Sequence, residues 1–370
     1  MKAAEDGSGN RTHMRSRALP RQSGAAFGVA AGIVFLAVGL LAPATVAERL
    51  TDSRAPLSRP APSPDGRWVA YVVSTEGGDA VAVTALPPEG AIQHAMVTGP
   101  IGDVAADLIW TGDPFPLLWV TKGGALWLME SDGALVSHSL GAPRSIRGYA
   151  WDPLRAMVVV HGRSVAVEHS VPPTPDSSIL SLGGVSSEIS SLAIEPETGS
   201  LLYADRGAVV AQNGPGSART VLSPDLEIAE FRSAQFADQG TVIMAVARRR
   251  GARVASTVVR LDVATGERTM VEADGREVEA VTPLGCAMAV VEADKRLWLA
   301  DFDSGTWSPL SPAGVLESDA ALTADSAWLI VASSGREDMD LDGRVTTADP
   351  ANLYRIPIVD GTPVLPIATP

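Results

Sequence analysis

A turn followed at once by an apolar strand recurs seven times along the 370-residue chain. The turns include Ser63-Pro-Asp-Gly-Arg67, Thr111-Gly-Asp-Pro114, Asp152-Pro-Leu154, Glu195-Pro-Glu-Thr-Gly199 and Thr323-Ala-Asp-Ser326, and runs such as Trp68-Val-Ala-Tyr-Val-Val73 and Ala327-Trp-Leu-Ile-Val331 follow them. The residues just before the turns are Pro62, Trp110, Trp151, Ile194, Phe236, Thr282 and Leu322, spaced by 48, 41, 43, 42, 46 and 40 residues. A unit of that length holds four short strands and cannot bury its own apolar faces, so it must stack on copies of itself. An open sandwich would not keep the period. A closed ring leaves few exposed sheet edges and buries inner strands on both faces, which accounts for the near-continuous Val, Ala, Leu and Ile runs. The pattern predicts an all-β, seven-bladed β-propeller with four-stranded antiparallel blades over residues 62–370.

The string Pro62-Ser-Pro-Asp-Gly-Arg-Trp-Val-Ala-Tyr71, echoed by Trp110-Thr-Gly-Asp113 and Trp151-Asp-Pro153, resembles the Trp-Ser-Pro-Asp-Gly turn of TolB-type, WD40-like propeller repeats. The first copy is close and the others are degenerate. The resemblance implies a propeller over nearly all of the chain after residue 55. It does not extend to the α/β domain that precedes the propeller in TolB itself.

Ahead of the repeats, residues 25–42 are wholly apolar, long enough to span a bilayer, and Lys2, Arg11, Arg15, Arg17 and Arg21 precede them. The positive-inside rule keeps this side in the cytoplasm and sends the rest across. The expected division is a basic cytoplasmic tail at 1–24, a transmembrane anchor or cleaved signal segment at 25–47, a Pro-rich linker at 48–61, and the propeller. The localisation that follows is the cytoplasmic membrane, single-pass, with the propeller outside, or secreted or periplasmic if the segment is cleaved. Net charge is −14, and the basic tail leaves the body more acidic still, which argues against nucleic acid as a partner. The single Cys286 rules out an internal disulfide.

One stretch carries the spacing of a calcium loop: Asp338-Met-Asp-Leu-Asp-Gly-Arg-Val-Thr-Thr-Ala-Asp349. Asp338, Asp340 and Asp342 fall at positions 1, 3 and 5, Gly343 at the bend, the Arg344 carbonyl at 7 and Asp349 at 12. Carboxylates so crowded repel one another unless a hard cation gathers them, and calcium accepts such loose oxygen geometry. Leu341 at position 4 and Asp349 in place of Glu depart from the usual pattern. The flanks read as strands, so the loop resembles the dockerin-like calcium insertions of some TolB-type propellers, and calcium is the expected cofactor, in a structural role.

Other features read as structure. The Arg248-Arg-Arg-Gly-Ala-Arg253 hairpin reads as a solvated tip, the five His are scattered, and the Trp residues share strands in a way that suits core packing. The expected function is therefore a binding scaffold and not an enzyme. Its partner would be an unidentified protein or cell-envelope component, beside the membrane held through the N-terminal segment. The alternative is a propeller hydrolase or lyase acting at the central channel, betrayed by inner-strand or top-loop acids converging on the axis. A third reading is an extracytoplasmic sensor domain.

Overall fold

The computed structural model describes residues 47–364, apart from 88–93, 113–114, 141–145, 163–165, 172–177, 181–191, 206, 214–218, 224–225, 239, 251–252, 338–339 and 343. The basic tail and the segment at 25–46 lie outside them. Among the described residues no helix is long and apolar enough to cross a membrane.

Seven antiparallel sheets form a seven-bladed propeller. The inner strands, blades 1 to 7, are Leu57–Pro62, Ile109–Trp110, Gly148–Asp152, Leu192–Ile194, Ile228–Asp238, Val278–Leu284 and Leu316–Leu322. The inner strands of blades 3 to 7 pack side by side in order, and that of blade 7 packs against that of blade 1.

The second strand of blade 1, Trp68–Thr75, shows why the apolar runs are continuous. Val69 and Tyr71 pack on Ile330, Ala332 and Leu353 of blade 7, while Ala70 and Val72 pack with Leu118 and Val120 of blade 2. Alternate residues point to opposite faces of a strand, and here both faces are covered by a neighbouring blade. The same logic buries Leu117, Leu118, Trp119 and Val120 completely.

The turns of blades 1 and 7 are held by side chains that copy backbone hydrogen bonds. The Ser63 hydroxyl accepts the Trp68 N–H at 2.9 Å and donates to the Asp65 carboxylate, which also accepts the Arg67 N–H at 3.1 Å. Gly66, at φ 70°, completes the turn. Blade 7 repeats this with Thr323 and Asp325, and places Ser326 at φ 56° where blade 1 has glycine.

The stretch expected to be a linker, 48–61, is instead built into the ring. Glu48–Arg49 forms a strand on Asn352–Val359 of blade 7, pairing Glu48 with Arg355 and Arg49 with Tyr354. Leu57–Pro62 is the inner strand of blade 1. The strand ladder thus closes with a piece from each end of the described chain in one blade. Beyond the pairing, the fully buried Asn352 side chain accepts the Thr51 hydroxyl at 3.0 Å and the Ser53 N–H at 2.8 Å, and donates to the Ser53 carbonyl at 2.9 Å. Thr51 in turn accepts the Leu353 N–H at 2.9 Å. A two-residue strand has too few backbone bonds to hold alone, and this buried network supplies the rest.

Candidate functional site

Aligning the units on the residue before each turn picks out the position three residues earlier. It holds Arg59, Asp107, Gly148, Ser191, Ser233, Glu279 and Asp319 in blades 1 to 7. The charged members fall in blades 6, 7, 1 and 2, which are consecutive around the ring, and small residues fall in blades 3 to 5. Ser191 lies outside the described residues.

Inner-strand bulges set this position apart from the ladder. Register shifts separate Ser58 from Ala61, Val278 from Ala280 and Ser318 from Ala321. Arg59 and Asp319 adopt φ 52° and 53° there, a left-handed conformation that is costly for Arg and easier for Asp. An extra residue in a strand re-aims a side chain away from the pleat. Here the effect is to line a cavity of about 520 Å³ at the axis, walled by Arg59, Asp107, Ser233, Gln235, Phe236, Thr282, Glu292 and Asp319.

Cross-blade hydrogen bonds stiffen this wall. Trp110 Nε1 donates to the Ala61 carbonyl at 2.8 Å, Thr282 Oγ1 to the Ala320 carbonyl at 2.7 Å, and Arg232 Nη1 to the Val278 carbonyl at 2.7 Å. The Tyr149 hydroxyl donates to the Asp107 carbonyl.

Glu292 stands on the second strand of blade 6 and accepts the Asp319 N–H at 2.9 Å. Burial pushes its pKa up to about 7; the Asp319 N–H opposes the rise, and the carboxylates of Asp319, Glu279 and Asp107 add to it. Asp107 is exposed to the cavity, yet lies deep enough in the ring for protein to surround it. Burial raises its pKa, Arg59 opposes the rise and Asp319 adds to it. Tyr149 is likewise raised by burial and by Asp107. At neutral pH Glu292 is present in both protonation states, which suits a group that takes and returns protons. Among the described residues no group of three or more His, Cys, Asp or Glu is placed to hold a metal ion.

These residues escaped the sequence reading. Asp319 stands one residue ahead of the apolar run Ala320–Leu322, and Arg59 sits in the stretch expected to be a linker. The alignment position above is the signal that finds them.

The residues of the expected calcium loop lie elsewhere, between the second and third strands of blade 7. Asp338 and Gly343 fall outside the described residues. Asp349 is 3% exposed and accepts the Thr346 N–H at 2.6 Å and the Asp340 N–H at 3.3 Å. Asp340 accepts the Asp342 N–H at 3.1 Å, and Asp342 the Arg344 N–H at 2.8 Å. The stem is tied to the blade by Arg336, bonded to the buried Glu317, and by an Arg49–Glu337 ion pair at 2.5 Å.

His161 is buried over Gly148, and burial lowers its pKa to about 4; His169 is lowered for the same reason. Cys286 is half-buried and donates to Asp238 at 2.7 Å. Arg248 of the basic hairpin bonds the Leu226 carbonyl at 2.9 Å and lies 3.6 Å from Glu272. Trp119 and Trp127 stack in the core at 6.3 Å.

No family model matches the chain, and no curated protein does. The resemblance to TolB-type repeats is therefore supported only as far as the propeller itself. Solved structures of similar shape include oligogalacturonate lyase in complex with manganese, at 10% identity and TM-score 0.63, covering 85% of this chain and 93% of that one. Virginiamycin B lyase from Staphylococcus aureus has 10% identity and TM-score 0.61, covering 85% and 98%. A chain of the mitotic checkpoint complex has 16% identity and TM-score 0.57, covering 85% and 94%. At such identities the likeness is one of fold. It nonetheless overturns the expectation that the chain is not an enzyme, because two of these structures are lyases of the same fold.

Proposed function

We propose that the chain is a propeller enzyme of the lyase or hydrolase type, acting on a small polar substrate in the central cavity with Glu292 as its proton-transfer group. The observation that carries this is a carboxyl held near neutrality inside a cavity of about 520 Å³ beside Arg59 and Asp107. In a lyase reaction the Glu292 carboxylate takes a proton from carbon, the electron pair left behind forms the new double bond, and the departing oxygen takes a proton from Asp107. In a hydrolase reaction Glu292 takes a proton from water as the water oxygen bonds to the substrate, and the oxygen whose bond to that atom breaks takes a proton from Asp107. Arg59 stabilises the negative charge that develops in either case. A pure scaffold needs no polar convergence at the axis, and that reading leaves the arrangement unexplained.

The test is difference infrared titration of the protein against Glu292→Gln, expecting one carboxyl that titrates near pH 7. The folded-state pKa lies above the ordinary value of 4.5, so Glu292 contributes stability that is full below the ordinary value and lost as pH rises through 7. The melting temperature of the native protein, relative to the variant, should fall between about pH 5 and pH 8. A carboxyl that titrates at its ordinary value removes the proton-transfer role.

We further propose that the loop at 338–349 holds a structural calcium ion through the carboxylates of Asp338, Asp340, Asp342 and Asp349 and the carbonyl of Arg344. Support comes from its hard oxygen donors and from Asp349, a buried carboxylate gathered under the loop by backbone N–H groups. The charge and hydropathy of residues 1–47 support a propeller outside the cytoplasmic membrane, where calcium is plentiful enough for a weak site.

A further inference from the structure

Resting on the reading of the central cavity as the working site, we infer that its ligand is a cationic sugar-sized molecule, an amino sugar whose ammonium meets the acidic arc and whose hydroxyls meet Arg59. The charge balance of the wall motivates this. Asp107, Asp319 and Glu292 line the cavity, and Glu279 is near enough to act on Glu292, against the single guanidinium of Arg59. Bulges and blade order concentrate these groups on one arc. Like charges held this close repel one another, and an ammonium placed among them relieves that repulsion. A carboxylate-bearing ligand would add to it.

Arg59 supplies a second, independent indication. Its Nη1 is buried without a hydrogen-bond partner, although the residue lines the cavity. A donor left unpaired at the cavity wall is costly, and a small rotation of the guanidinium that brings Nη1 to a ligand hydroxyl relieves that cost. Asp107 already draws on the charge of Arg59, so a neutral hydroxyl suffices there. Phe236 also lines the cavity with an apolar side chain, and Ser233 and Gln235 line it with hydrogen-bonding groups, the mix that a pyranose ring requires.

Three hexoses that differ only at carbon six form the test: 6-amino-6-deoxyglucose, glucose and glucuronate, titrated calorimetrically into the intact protein. The amine should bind about tenfold or more tightly than glucuronate, with glucose between them, because one unit charge within a few ångströms of several carboxylates is worth at least that factor. Its affinity should rise several-fold from about pH 6 to about pH 8 as Glu292 loses its proton facing Asp319, Glu279 and Asp107. Asp319→Asn, nearly isosteric, should shrink the preference for the amine several-fold while leaving the melting temperature close to native. Equal or tighter binding of glucuronate, or no binding of any of the three at millimolar concentration, overturns the ligand class. Those results would leave a neutral titration of Glu292 intact as support for proton transfer. An ordinary Glu292 pKa would instead remove the enzyme reading and leave the charge preference to stand or fall by itself.

Discussion

Replacing Asn352 by Ala should open the ring at its seam. The side chain, itself fully buried, makes three hydrogen bonds of 3.0 Å or less, to the fully buried Thr51 and the half-buried Ser53. Each such bond is worth about 1 kcal/mol net, and the Ser53 N–H and carbonyl would be left without their partner, so the loss comes to about 3 kcal/mol or more. For a chain of this size each kcal/mol moves the melting temperature by about 2–4 °C, so a fall of roughly 6 °C or more is expected in calorimetry at matched scan rates. Thr51→Ala removes part of the same network, so the double variant should lose less than the sum of the single losses. A shift under about 2 °C for Asn352→Ala, or strict additivity with Thr51→Ala, would show that the strand pairing closes the ring without the buried network.

Two further outcomes follow from other parts of the molecule. A Cβ on Gly148 would lie 2.7 Å from His161 Nε2, so Gly148→Ala should cost about 1–3 kcal/mol by denaturant midpoint, and adding His161→Ala should restore much of it; an unrelieved loss would point to the backbone instead. Excess calcium should raise the melting temperature of the native protein, and Asp340→Ala should abolish that rise; an unchanged calcium response in the variant would sink the assigned loop.

The ring was legible because blade stacking writes the same pattern seven times. A strand buried on both faces must be apolar without interruption, as Leu117–Val120 is, and turns of the Ser63 and Thr323 kind must recur at blade length. What a single unit does not repeat was hidden. Glu48–Arg49 is two charged residues with no periodicity, and its role exists only because the far end of the chain offers an edge. The axial groups were hidden for a different reason. Bulges break the alternation that marks a strand, so Arg59 and Asp319 read as residues beside strands when they are residues bent out of them. Glu292 stands in an otherwise apolar run, Met288–Ala293, where nothing local shows that its neighbour in the fold is Asp319.

The seam also decides how the molecule answers to tension. Any force applied through the residues ahead of Ala47 arrives first at the pairing of Glu48 with Arg355 and Arg49 with Tyr354, on the rim of blade 7. Two backbone pairs peel one after the other, whereas the eight-residue strand beneath them shares a load along its length. Past the two pairs, the pull reaches Thr51 and Asn352 and then the inner strand of blade 1, whose Arg59 faces the cavity. A tug on the leading end of the propeller is thus conducted along one continuous stretch of chain from the rim to the axis.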